Sequence, residues 1–139
     1  MSRTRAALAL LTFMHAGRAM TLAFLPAVGT AAAGAPPSAW AMPLLGDAVV
    51  GVTAPFAAWL AWSLFTDPRA RVLLFTWHAL GAWDAMSAWV VHRTVPWPEF
   101  FMVQLFGDSM FFGAAAMHLV ALALIGLLSS TLATPAPST

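Results

Sequence analysis

Four apolar runs dominate this chain, each near the roughly 20 residues that a helix needs to cross a bilayer. They extend from about Ala6 to Leu25, Pro43 to Phe65, Val72 to Val91 and Phe100 to Leu128. Every run carries ionisable side chains: His15 and Arg18 in the first, Asp47 in the second, His78 and Asp84 in the third, Asp108 and His118 in the fourth. A charged group at mid-bilayer costs a few kcal/mol even on lenient insertion scales. A chain that keeps several such groups there is building something polar inside the membrane.

Of the 139 residues, 61% are hydrophobic and 8% are charged, where a soluble domain has about a quarter charged. A single small core cannot cover that much apolar surface. The expected fold is therefore all-α: an integral membrane four-helix bundle forming one domain over residues 1–128, with a disordered tail from Ser129 to Thr139. The expected home is a bacterial inner membrane, crossed several times. The formal net charge of +1 leaves no basic footprint for nucleic acid. The chain has neither Lys nor Cys. That excludes a Schiff-base cofactor, disulfides, thiolate metal sites, Cys-ligated iron–sulfur clusters and covalently attached haem.

Arginine placement sets the expected orientation. Arg3 and Arg5 precede the first run, and Arg69 and Arg71 lie between the second and third, whereas the loop Pro26 to Met42 has no charge. Both termini and the Asp67–Arg71 turn are thus expected on the cytoplasmic side. Trp40, Trp89 and Trp97 are expected as anchors at the outer interface and Trp62 at the inner one. Pro55, inside the second run, is expected to kink it. Arg3, Arg5, the first apolar run and Ala31-Ala32-Ala33 imitate a secretory signal. His15 and Arg18 interrupt that pattern, so the first run is expected to be retained.

The halves of the chain echo each other. Leu11-Thr12-Phe13-Met14-His15-Ala16 matches Leu74-Phe75-Thr76-Trp77-His78-Ala79, and Leu45-Gly46-Asp47 matches Phe106-Gly107-Asp108. The match suggests a duplicated helical hairpin, with the first and third spans parallel.

Depth sorts the polar residues. At 1.5 Å per residue, His15, His78 and His118 lie roughly 13, 9 and 15 Å from the cytoplasmic side, in one layer. Arg18 and Asp84 share a depth of roughly 18 Å, and Asp47 and Asp108 lie roughly 27 to 30 Å in. Arg18 and Asp84 are expected as a buried ion pair. Asp47 and Asp108 are expected as outer carboxylates in the first turns of their helices, where the dipole favours them. Three neutral imidazoles from different helices suit a transition metal ion such as Zn or Cu. Alternatively, His15 and His78 on diagonal helices could clamp haem b, with small neighbours (Ala16, Gly17, Ala79, Gly81) leaving room. A third account has these histidines only bonding helix to helix. The methionines, Met14, Met20, Met86, Met110 and Met117 among them, could serve Cu(I) as thioether ligands. More often such residues fill gaps.

Two stretches carry a family resemblance. Pro43-Leu44-Leu45-Gly46-Asp47 with Val50-Gly51 and Ala54-Pro55-Phe56, then Trp77 with Gly81 and Asp84, resemble a loose group of small bacterial four-span membrane proteins without assigned function. The resemblance covers the second and third spans. It implies a shared role for Asp47 and Asp84 rather than for His78, where the group often has Asn, and it implies no activity.

Three functions follow as expectations: a haem b- or metal-binding subunit built on His15, His78 and His118; a proton or cation relay through the polar layers; and a structural accessory subunit. Partners are the lipid bilayer and either further copies of the chain or a larger membrane complex. No nucleophile–base spacing, phosphate loop, HExxH or Glu-x-x-His pattern marks an enzyme.

Overall fold

The computed structural model describes residues 3–133, and every regular element among them is helical. Helix α1 (Arg3–Met14) passes directly into a 3₁₀ segment, His15–Ala23. A loop with short 3₁₀ turns at Leu25–Ala27 and Ser38–Trp40 leads to α2 (Ala41–Ser63). Helices α3 (Pro68–Thr94), α4 (Phe101–Phe106) and α5 (Ser109–Ala133) follow.

Three of these runs are long and apolar enough to cross a membrane: Arg3–Ala27, Ser38–Ser63 and Ser109–Leu132. The third expected span stands apart. Helix α3 has 27 residues, roughly 40 Å at the α-helical rise, but Arg69, Arg71, Asp84 and Arg93 lower its apolar average. Most outward positions between its ends are nevertheless apolar: Val72, Leu73, Phe75, Leu80, Trp83 and Val90 are all exposed, with Thr76 among them.

Local chemistry places the boundaries. Asp67 caps α3, its carboxylate accepting from Arg69 N at 2.8 Å, with Pro68 in the first turn where no donor is lost. Helix α2 continues through Pro55 as one assigned helix. The fourth expected span is two helices, because Gly107 ends α4 with φ 55°, a backbone region that favours glycine. Helix α5 then runs past Leu128 to Ala133. Ser129 to Ala133, expected as part of the tail, are therefore helical, since nothing in Ser129-Ser130-Thr131-Leu132-Ala133 breaks the ladder. The remainder of the expected tail, 134–139, lies outside the described residues.

The long segments pack in a ring. Helix α2 lies against α1 and the 3₁₀ segment, α3 against α2 and α5, and α5 closes onto α1. The first segment and α3 are therefore diagonal. Two apolar clusters hold the ring at its ends. One contains Leu8, Leu60, Phe65, Leu74 and Ile125. The other contains Trp40, Leu44, Trp97, Phe100 and Phe111. Trp40 and Trp97, expected at the interface, are instead buried, with their indole N–H groups donating to Val95 O (2.9 Å) and Gly34 O (3.0 Å). A buried indole must find an acceptor, and these loop carbonyls supply it. The buried ionisable residues His15, His78, Asp84 and His118 fall between the two clusters, so the interior of the ring has apolar ends and a polar middle.

A buried imidazole triad beside an arginine shared by two carboxylates

The 3₁₀ segment explains how the first span delivers its polar groups. With three residues per turn, side chains at i and i+3 eclipse. Thr12 lies in the last turn of α1, and His15, Arg18 and Thr21 follow at intervals of three, so all four project from one side. Thr12, His15 and Thr21 are buried. A 3₁₀ run of nine residues is long for this conformation. Gly51 of α2 lets it pack close: a Cβ there would overlap the backbone of Arg18 and Ala19. Thr21 Oγ1 then ties the segment to α2, 3.1 Å from Leu44 O.

Arg18 is the hub. Its guanidinium donates to Asp84 Oδ2 at 2.6 Å, pairs with Asp47 Oδ1, and reaches His118 Nε2 from Nη1 at 3.0 Å. The Arg18–Asp84 pair is thus present, as depth implied. Asp47 is not an outer carboxylate. It joins Arg18 and Asp84 because α2 ends at Ser63 and α3 already begins at Pro68, so both carboxylates lie roughly 24 Å from the turn between them, and the 3₁₀ rise carries Arg18 a further ~2 Å toward them. Asp108 lies apart, at the α4–α5 junction, with Trp89 Nε1 (3.3 Å), His92 Nε2 (3.4 Å) and Arg93 Nη1 (3.5 Å) around its carboxylate. The two aspartates that match in the sequence echo therefore have different surroundings.

His15, His78 and His118 converge, and each is at most 1% exposed. One ligand nitrogen from each lies within 4.8 Å of the others. Gly81 of α3 admits His118, since a Cβ at that position would run into the imidazole. His15 stacks on His118 with ring centroids 3.8 Å apart, and Trp77 closes the triad edge-on, 4.7 Å from His78.

The hydrogen-bond directions follow from one donor. Arginine has no acceptor, so His118 Nε2 must accept from Arg18. A neutral His118 then carries its proton on Nδ1 and donates to His78 Nδ1 at 3.0 Å. His78 keeps its proton on Nε2 and donates to Thr12 Oγ1 at 3.0 Å. Thr12 Oγ1 donates to Leu8 O at 2.7 Å. The chain begins on a guanidinium and ends on a backbone carbonyl, neither of which passes a proton on. It orients two rings rather than conducting through them. His15 stands outside it: both ring nitrogens are buried without a partner.

That geometry bears on the choice of cofactor. His118 stacks on His15 and bonds to His78, so the space that a haem would need between His15 and His78 holds a third imidazole. The haem expectation assumed two diagonal rings facing each other with small residues between. Three converging imidazoles suit a single ion. Thr12, Thr21 and Trp77 complete the site without having been expected in it. The three-residue interval from Thr12 to Thr21 was their signal.

A cavity of about 550 Å³ adjoins the triad and the hub, lined by His15, Arg18 and Asp47 on one side and by Met and aromatic residues on the other. It exists because α5 packs on α1 but makes no close backbone approach to the 3₁₀ segment.

The chain matches no family model, no curated protein and no solved structure.

Proposed function

We propose that this chain is an integral membrane protein that binds a transition metal ion between its helices, through His15, His78 and His118. The observation that carries the reading is His15. A buried polar group without a partner costs roughly 1–3 kcal/mol, and both nitrogens of this ring are in that state while two further imidazoles stand within ligand distance. An ion would satisfy one of the two nitrogens. Bonds of ~2.0–2.1 Å to a tetrahedral ion would put ligand nitrogens ~3.3 Å apart, so loading would draw the rings together by up to ~1.5 Å at the widest pair. An ion held by Nδ1 of His78 and His118 replaces the proton between them. His118 then carries its proton on Nε2, which faces the Arg18 N–H, and Arg18 turns toward its carboxylates.

The setting we propose is a four-helix bundle with α3 as the fourth span, both termini cytoplasmic, in a bacterial inner membrane. Support for α3 comes from its apolar outer face and from the inward position of His78 and Asp84, which lower its average without meeting lipid. Support for the orientation comes from Arg3, Arg5, Arg69 and Arg71 on one side and the uncharged Pro26–Met42 loop on the other.

Cobalt substitution tests the metal site. Detergent-purified protein loaded with Co(II) is expected to show the visible d–d bands of a tetrahedral nitrogen site, and His78→Ala is expected to lose them. A folded wild-type protein that stays colourless under excess Co(II) and also retains no Cu(I) would overturn the reading.

A further inference from the structure

We infer that the ion is monovalent copper, loaded along the cavity beside the triad on methionine thioethers. The inference rests on the triad being a metal site and names the ion it takes.

Three observations converge. The first is where the methionines are. Of the eight in the chain, five line this one cavity: Met14, Met20, Met102, Met110 and Met117. They run from α4 and the start of α5 to Met14 and Met117, the residues that immediately precede His15 and His118. Two of them, Met102 and Met110, also pack against the second apolar cluster, which leaves Met14, Met20 and Met117 as the cavity methionines outside both clusters. Thioether and imidazole donors together select soft Cu(I), whereas hard cations need oxygen.

The second is charge. Arg18 stands against two carboxylates, Asp47 and Asp84, so with both ionised the hub carries one negative charge in excess next to three neutral rings. A buried net charge is costly. A monovalent ion at the triad cancels that excess, while a divalent ion replaces it with a positive one. The same excess means that Arg18, though cationic and on the cavity wall, does not repel an approaching cation.

The third is the aim of the cavity. It reaches His15, the ring whose nitrogens are without partners. A soft ion passed from thioether to thioether along the wall meets that ring first.

The test is a pair of titrations on nanodisc-embedded protein. Anaerobic Cu(I) is presented against a chromophoric Cu(I) chelator, and Zn(II) against a chromophoric Zn(II) chelator. The variant is Met14→Leu/Met20→Leu/Met117→Leu, which keeps volume nearly constant, with Met117→Leu alone as a second variant should the triple one not fold. The expected result is Cu(I) binding by wild type that the variant weakens by about tenfold or more, with Zn(II) affinity unchanged. Equal Cu(I) affinity in wild type and variants, the outcome for a cavity merely filled by lipid, overturns the inference, as does a wild type that takes Zn(II) and refuses Cu(I). In both cases the triad remains a metal site. A wild type that binds neither ion sinks the triad itself.

Discussion

His15 and His118 lie face to face, ring centroids 3.8 Å apart and planes 14° from parallel, yet one ring is held by hydrogen bonds and the other by none. His118 spans Arg18 and His78, while His15 has no partner for either nitrogen. A ring kept only for packing would be better as leucine. His15→Leu is accordingly expected to leave the metal-free protein at least as stable as wild type, by up to about 1–3 kcal/mol. It is also expected to abolish the rise in melting temperature on adding metal. Melting curves in detergent, with and without ion, measure both. A large loss of stability in the metal-free variant would mean that His15 is structural.

The ion network answers differently. Truncating Arg18 leaves Asp47 and Asp84 buried together without a cation, and breaking a buried pair by removing one partner costs about 3–5 kcal/mol. Asp84→Asn removes one charged hydrogen bond and leaves Asp47 on the guanidinium, so its cost is expected at roughly 1.5–3 kcal/mol. Denaturant titrations of Arg18→Ala and Asp84→Asn should rank in that order, and the reverse ranking would contradict the hub role of Arg18.

Gly81 is where α3 yields to His118. Gly81→Ala puts a methyl group into the imidazole and is expected to cost about 1–3 kcal/mol by overpacking while displacing a ligand. Gly126→Ala in α5 meets nothing within 4 Å. It is expected to be neutral or stabilising by up to about 1 kcal/mol, with metal binding intact. Binding isotherms for the two variants separate a packing role from a general intolerance of added bulk.

Topology can be read by labelling, because the chain has no cysteine of its own. Thr30 and Thr66 are both exposed, in the connections on either side of α2. Thr30→Cys is expected to react with a membrane-impermeant maleimide in intact cells, and Thr66→Cys only after lysis. Labelling of both from one side would rule out α2 as a span.

Much of this site was legible in the sequence, and the parts that were not have specific causes. Counting residues at the α-helical rise brought His15, His78 and His118 to one layer and paired Arg18 with Asp84. The same count misplaced Asp47 relative to Asp84, because it began the third span at Val72 where α3 already begins at Pro68, and because it assumed α-helix through His15–Ala23, where the chain is 3₁₀ and rises faster. The change of period had a trace in the order Thr12, His15, Arg18, Thr21, whose interval of three differs from the 3.6 of an α-helix. The break at Gly107 was hidden within a long apolar run, since hydropathy does not register a positive φ. Burial of Trp40 and Trp97 depended on carbonyls of distant loop residues, Val95 and Gly34, which no local pattern identifies.

The central claim is that three imidazoles hold one ion. Metal content of the folded protein after loading and gel filtration, read by elemental mass spectrometry in wild type and His15→Leu side by side, tests it most directly. The account predicts one transition metal ion per chain in the wild type and none above background in the variant, with both proteins folded. A folded wild type that retains no more metal than His15→Leu would contradict it.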